Sequence, residues 1–256
     1  MTFSVTDALD RWVAANDDPH LPDGHWHPSA IWGCTRKAVY EIRGTPESDP
    51  RPAQNRRVLF IGRKFHEFVQ SAIIDDPRVA ECWVEVEVYD DNLNIIGKAD
   101  ALRHMVDDSW EMDEIKSISQ SGMDYGKKRN SLPKEDHLGQ GKTYADLLRR
   151  HGSPAQGIPP LGNKLKSIRF TYLAKEDLDT AEIVVDLDPE QDQQKIAARV
   201  ADLEVYRADP ASLPPRMPKT GGKYHWMCQW RAGQCQFFTK CWTVDADEIH
   251  PAGVEF

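Results

Sequence analysis

Residues 81–119 read ECWVEVEVYDDNLNIIGKADALRHMVDDSWEMDEIKSIS. Apolar and polar residues alternate through this stretch, the period of a strand with one face turned inward. Turn-forming clusters at DDNLN and VDDS divide it, so it predicts three consecutive strands in a meander. On both sides the period changes to that of helices. Upstream, Thr6 to Ala15 carries Ala8, Leu9, Trp12 and Val13 on one stripe. The segment HPSAIWGCTRKAVYEIRG predicts a helix from Pro28 and Ser29 to Gly44 that carries Cys34, and residues 55–74 predict a longer one with Val58, Leu59, Phe65, Phe68, Val69 and Ile73 on its apolar stripe. Downstream come a helix over 136–150, a Gly/Pro-rich loop, two strands in KSIRFTYLAK and TAEIVVDL, and a helix introduced by Pro189. From about Pro210 onward neither period persists. Strands bracketed by helices predict an α/β fold with a central mixed sheet flanked by helices, organised as one domain over 1–256. Within it residues 1–75 form a helical cap, 76–208 the core and 209–256 a cysteine-rich tail.

The chain has 256 residues, 40% of them apolar and 9% aromatic, enough to build a core. No apolar run approaches the roughly 18 residues of a membrane helix and no secretory leader is evident, so a soluble, cytoplasmic protein with no membrane partner is expected. The net charge of −9 argues against a phosphate-rich partner, but its distribution does not. Between Gly126 and Phe170 ten Lys or Arg face three Asp or Glu, against 22 and 38 in the remainder. Such a segment suits a nucleic-acid backbone, although a solvated helix face is the commoner origin of a charge run. Lys127, Lys128, Arg129 and Lys142 are its candidate DNA contacts.

Three of the five cysteines fall within CQWRAGQCQFFTKC, residues 228–241. In a reducing compartment a sparse, odd set argues for metal binding or chemistry over disulfides. Cys82, inside a strand pattern, reads as a small buried hydrophobe. In the meander, GKADAL sets Asp100 within one strand, and EMDEIKS sets Glu114 and Lys116 on one face of the next, with Trp110, Met112 and Ile118. Glu111 and Asp113 fall on the opposite face, where no special role is expected of them. A lysine and acids on a buried face must be paired or hold a metal. A salt bridge from Lys116 to Asp100 or Glu114 is one solution.

The order of these residues resembles the PD-(D/E)XK nuclease superfamily. The match includes a Gly before Asp100, then E-x-K at Glu114 and Lys116, with GRKFHEF placing His66 upstream and QGKTY placing Gln140 and Tyr144 downstream. The last two match the G-x-x-x-H and Q-x-x-x-Y patterns of the RecB-like exonuclease branch. The resemblance implies a restriction-endonuclease-like core and a Mg²⁺- or Mn²⁺-dependent deoxyribonuclease. It implies His66, Asp100, Glu114 and Ile115 as metal ligands, and Asp100, Glu114, Lys116, Gln140 and Tyr144 as the catalytic set. The chemistry is consistent: a phosphodiester repels nucleophiles, hard cations favour oxygen ligands, and an ammonium can stabilise developing charge.

A subgroup of RecB-like nucleases, the iron-sulfur exonucleases with an AddB-like cysteine arrangement, has one cysteine before the core and three after it, holding a 4Fe-4S cluster. SAIWGCTRKAVY resembles that upstream segment, which implies Cys34, Cys228, Cys235 and Cys241 as cluster ligands, with zinc as the alternative. Six residues separate Cys228 from Cys235, where the family more often has two. The aromatics Trp226, Trp230, Phe237, Phe238 and Trp242 would shield a cluster or form a small apolar core. The function implied is an exonuclease acting on single-stranded DNA or DNA ends, 5′ to 3′, in recombination, repair or phage DNA metabolism. The alternatives are a CRISPR adaptation nuclease that trims prespacers alongside adaptation proteins, and a non-cleaving iron-sulfur DNA-binding subunit.

Overall fold

A computed structural model of the chain describes residues 4–16, 23–230 and 233–244, apart from the side chains of Trp230 and Val244. Four helices come first: α1 (Val5–Asn16), α2 (Pro28–Ile31), α3 (Thr35–Ile42) and α4 (Ala53–Ile74). The meander follows as β1 (Val79–Asp90), β2 (Ile95–Met105) and β3 (Trp110–Ile118). After it come α5 (Gln120–Arg129), α6 (Glu135–Arg150), β4 (Leu165–Ala174), β5 (Thr180–Asp186) and α7 (Pro189–Ala208). The tail holds two short strands, β6 (Gln229–Trp230) and β7 (Gly233–Gln234), and a π-helical turn over Lys240–Val244. Among the described residues no helix is long and apolar enough to cross a membrane.

The chain divides into two compact units. One comprises residues 25–33 and 61–202, the other residues 1–24, 34–60 and 203–256. The first contains the sheet, in the order β1-β2-β3-β4-β5, with β3 and β4 parallel and the other pairs antiparallel. Short loops suffice for the antiparallel steps, whereas the parallel step needs a long crossover, which α5 and α6 supply. This is the mixed sheet flanked by helices that the periods predict. Met112, Ile115, Ile168 and Phe170 at its centre are fully buried, each contributing about 1.5–3 kcal/mol by leaving water.

Several local expectations are corrected. The helix expected from Pro28 to Gly44 is two helices, and Cys34 is the extended residue that starts the second, with φ −68° and ψ 113°. The break is held open because Arg199 takes the Ile31 carbonyl at 2.6 Å and the Trp32 indole reaches across to Thr143 at 2.8 Å. Helix α5 was absent from the pattern because Gly122 and Gly126 weaken its helical signal, each by about 1 kcal/mol. It is started by the Ser119 side chain, which accepts from the Gly122 amide at 3.2 Å. The apolar stripe of α4 is largely exposed, Val58, Leu59 and Phe68 by 46–61%, and the buried residue of that helix is Gln70. The face of β3 expected to be unremarkable is also buried: Asp113 is 1% exposed and bonded by Arg103 at 2.7 Å.

The second unit combines buried apolar residues, Val13, Ala38, Val39, Tyr40, Leu203 and Phe237, with polar contacts. Trp12 meets Phe60 edge-on and Tyr40 packs on Phe237. The Arg43 guanidinium donates to the carbonyls of Tyr206, Asp209 and Ser212. Asp49 accepts from the Thr239 amide and hydroxyl and from the Gln234 side chain, each at 2.7 Å. Burial opposes ionisation of Asp49, but these donors and Ser48 outweigh it and set its pKa below the ordinary 3.8. A depressed carboxylate pKa contributes stability above the ordinary value and loses it as pH falls through the folded one. Asp49→Ala is therefore expected to cost about 1–2 kcal/mol and to accelerate amide hydrogen exchange across residues 233–244. Unchanged exchange there would show that Asp49 does not hold the segment.

Candidate functional site

The residues singled out around the meander converge within the sheet-containing unit. His66 comes from α4, Asp100 from β2, Glu114 and Lys116 from β3, and Gln140 and Tyr144 from α6. His66 Nδ1 lies 3.4 Å from Asp100 Oδ1, while Asp100 Oδ2 accepts from the Ile115 amide at 2.6 Å. Lys116 Nζ lies 2.5 Å from Glu114 Oε1 and donates to Gln140 Oε1 at 3.1 Å. Gln140 in turn donates to the Tyr144 hydroxyl at 3.4 Å. Close packing needs small residues at two points. A Cβ on Gly97 would meet the Tyr144 ring at 2.8 Å, and one on Gly139 would meet the Trp32 ring at 2.2 Å.

The charges here are unusual for their burial. Glu114 is fully buried, and burial followed by the neighbouring Asp100 charge pushes its pKa up to about 7 against the pull of Lys116. Its Oε2 has no hydrogen-bond partner. Burial opposes a charge on Lys116 too, but Glu114 and Asp100 overcome it and raise its pKa, so the ammonium persists. An ion pair alone would lower the glutamate's pKa; desolvation wins because Glu114 is the more deeply enclosed partner. For His66 the hydrogen bond and charge of Asp100 outweigh burial and raise its pKa above 6.5.

Three residues near this constellation were not singled out in the sequence. Gln70 donates to Glu85 Oε1 at 3.1 Å and to the Asp100 carbonyl at 2.8 Å. Among the described residues the one group of three ligand atoms within 4.8 Å of one another is His66, Glu85 and Asp100. Oxygen-rich with one imidazole, it suits a divalent cation. His137, one turn before Gln140, pairs its Nδ1 with the Tyr172 hydroxyl at 2.8 Å, and burial followed by the Lys116 charge lowers its pKa to about 4. The same hydroxyl accepts from the Lys134 amide. Glu85 sits in a run of alternating glutamates with nothing local to distinguish it, and His137 falls outside the Q-x-x-x-Y pattern.

The basic candidates occupy varied settings. Lys127 pairs with Asp179 at 2.5 Å and Lys142 with the buried Asp192 at 2.7 Å. Arg129 lies over the Tyr125 ring, and Lys128 is exposed. Lys127, Lys128 and Arg129 form the last turn of α5, where positive charge also complements the helix dipole.

In the other unit Cys34, Cys228, Cys235 and Cys241 line one cavity with about 290 Å³ of empty space, part of it open to solvent. Tyr40, Phe237, Phe238 and Trp242 contribute its apolar wall, and Arg36 and Lys37 its cationic one. Trp226 is 55% exposed and does not line it; the side chain of Trp230 lies outside the described residues. All five cysteines are free thiols, and Cys82 is separate from the four. Burial followed by the neighbouring Cys34 raises the Cys228 thiol to about 11, and burial raises Cys235 and Cys241 too.

The raised pKa values have a joint consequence for stability. Glu114 and His66 hold protons more tightly in the folded state than in the unfolded chain, so their contribution to stability falls as pH rises. His137, with its pKa lowered to about 4, contributes in the opposite sense over an overlapping range. The Glu114 window runs from the ordinary glutamate value of 4.5 to about 7. The melting temperature of Glu114→Gln less that of the wild type is therefore expected to rise across this window, and paired thermal melts in chelator read the difference. A difference that falls across the window would contradict the raised glutamate.

No protein-family model matches the chain, and no curated protein matches it. Among solved structures, SSO0001 is similar at a TM-score of 0.50 and 16% identity, over 81% of this chain and 89% of that one. An alkaline exonuclease from Laribacter hongkongensis, LHK-Exo, is similar at a TM-score of 0.47 and 12% identity, over 78% of this chain and 94% of that one. Its complex with dAMP gives 0.46 and 14% over the same shares. At 16% identity the likeness to SSO0001 is one of fold.

Proposed function

We propose that the chain is a divalent-cation-dependent deoxyribonuclease of the PD-(D/E)XK type. The observation that carries this reading is the convergence of His66, Asp100, Glu114, Lys116 and Gln140, from four separate elements, on one connected arrangement. The unpartnered Glu114 Oε2 fits a cation-binding role, because a buried carboxylate oxygen left without a donor costs about 1–3 kcal/mol or more. His66 and Asp100, with Glu114 and the Ile115 carbonyl by resemblance, would hold Mg²⁺ or Mn²⁺. A cation so held polarises the phosphodiester and acidifies water. Lys116 keeps its proton and is fixed by Glu114 and Gln140, so its ammonium stabilises negative charge as it builds on the phosphorus oxygens. Gln140 and Tyr144 orient Lys116 and the nucleic acid. The DNA backbone passes the last turn of α5, near Lys127, Lys128 and Arg129, and Lys142 serves it from α6.

By the same resemblance the substrate is single-stranded DNA or a DNA end, degraded 5′ to 3′, in recombination, repair or phage DNA metabolism. Asp100→Asn and Lys116→Ala are each expected to lower Mg²⁺- or Mn²⁺-dependent degradation of single-stranded DNA on the order of 10²-fold or more, with unchanged circular dichroism. Oligonucleotides labelled at either end report polarity in the same assay. Wild-type rates in either variant would overturn the assignment.

The four cysteines are proposed to hold a 4Fe-4S cluster. The four line one cavity, and zinc held by four thiolates is the alternative. Arg36, Lys37 and Arg216 offset the thiolate charge of Cys235 and Cys241. Anaerobically purified protein is expected to be brown, with about four irons and four acid-labile sulfides per chain. Since ligand binding adds to folding free energy, Cys34→Ala should expose the 233–244 segment to proteolysis as much as Cys235→Ala does, and Cys82→Ala should not. A segment that is cut only in Cys235→Ala would remove Cys34 from the ligand set.

A further inference from the structure

Strand β1 carries three glutamates in alternation, at 81, 85 and 87, and their surroundings differ. Glu81 faces His104 at 3.4 Å and Glu87 faces Lys98 at 3.3 Å, ordinary pairings at the sheet surface. Glu85 instead has a neutral partner, the Gln70 amide, whose own side chain is 6% exposed. Because the same Gln70 nitrogen donates to the Asp100 carbonyl, the Glu85 carboxylate is tied to the backbone of the neighbouring site residue. Glu85 also interrupts the strand, with φ 49°, between the paired residues Val84 and Val86.

The result is a donor set. Ligand atoms of Glu85, His66 and Asp100 all lie within 4.8 Å of one another. Opposite oxygens around a hard cation, at bonds of about 2.0–2.6 Å, stand about 4–5 Å apart, so small side-chain adjustments bring all three onto one ion. Glu114 lies outside this 4.8 Å group, with one oxygen held by Lys116 and the other, buried and without a partner, left for the cation role proposed above. The buried Glu114 nonetheless feels the charges of both Asp100 and His66. The site therefore has an enclosed carboxylate at Glu114 and an exposed one at Glu85.

We propose that Glu85 is a ligand of the divalent cation, alongside His66 and Asp100, and that Gln70 is its positioning residue. This rests on the nuclease reading and adds to it the ligand on the solvent-facing side of the site.

The test is Mn²⁺ binding to the full chain without DNA, by isothermal titration calorimetry and by the electron paramagnetic resonance of free Mn²⁺. Glu85→Gln is expected to weaken binding about tenfold or more, whereas Glu87→Gln on the same strand leaves it unchanged. Glu85→Asp, which keeps the carboxylate, binds more tightly than Glu85→Gln. Gln70→Ala weakens binding in the wild-type chain and adds nothing in Glu85→Gln, the signature of a residue that acts through Glu85. Asp100→Asn separates this inference from the reading beneath it. If Asp100→Asn loses Mn²⁺ while Glu85→Gln binds as wild type, Glu85 is not a ligand and the nuclease site stands. If Asp100→Asn also binds as wild type, both fall.

Discussion

A carboxylate taken fully out of water is the constraint around which the sheet is built. Strand β3 does this twice in consecutive residues and resolves it in two ways. Asp113, 1% exposed, meets Arg103 through both carboxylate oxygens, so burial is matched by charge-assisted hydrogen bonds, although burial still raises its pKa to about 6. Glu114 has Lys116 on one oxygen and nothing on the other. Removing an ion from water costs several kcal/mol even after relaxation, so an incomplete solution persists only where something else completes it or gains from it. The first carboxylate is satisfied by the architecture, and the second is left half satisfied.

The strands were legible because alternation and turn residues are local signals, and residues 81–119 carry both. The parallel placement of β4 against β3 was not written in any one segment; it follows from a crossover whose first helix, α5, is disguised by two glycines. The residues that come together around Asp100 were legible where they follow a spaced pattern, as with Asp100, Glu114, Lys116, Gln140 and His66. They were opaque where a residue matters through a tertiary partner. Gln70 reads as one polar residue among many on α4, and only the folded chain brings its amide to Glu85 and Asp100. The exposed apolar stripe of α4 carries the same lesson in reverse, since period alone does not say which side of a helix is covered.

The cysteine-lined unit shows a different balance. Its members come from three stretches of chain and meet through hydrogen bonds centred on Arg43, Asp49 and Gln236 and through buried apolar residues such as Val39, Tyr40 and Phe237. Small assemblies with little core commonly rely on a metal or a covalent link. Four thiols around one cavity, three of them held protonated by burial, are a place where such a group would supply what packing does not.

The interleaving of the two units along the chain has a consequence for biosynthesis. Residues 25–33 and 61–202 are all available once residue 202 has left the ribosome, so the sheet can form while the tail is still being made. Cys34 emerges early and must wait for Cys228, 194 residues later. At 5–20 residues per second that is about 10–40 s during which one thiol of the cavity is displayed without its companions. The nascent protein thus passes through an interval in which the constellation around Asp100 can be assembled and the four-cysteine cavity cannot, and the order of translation sets the order of maturation.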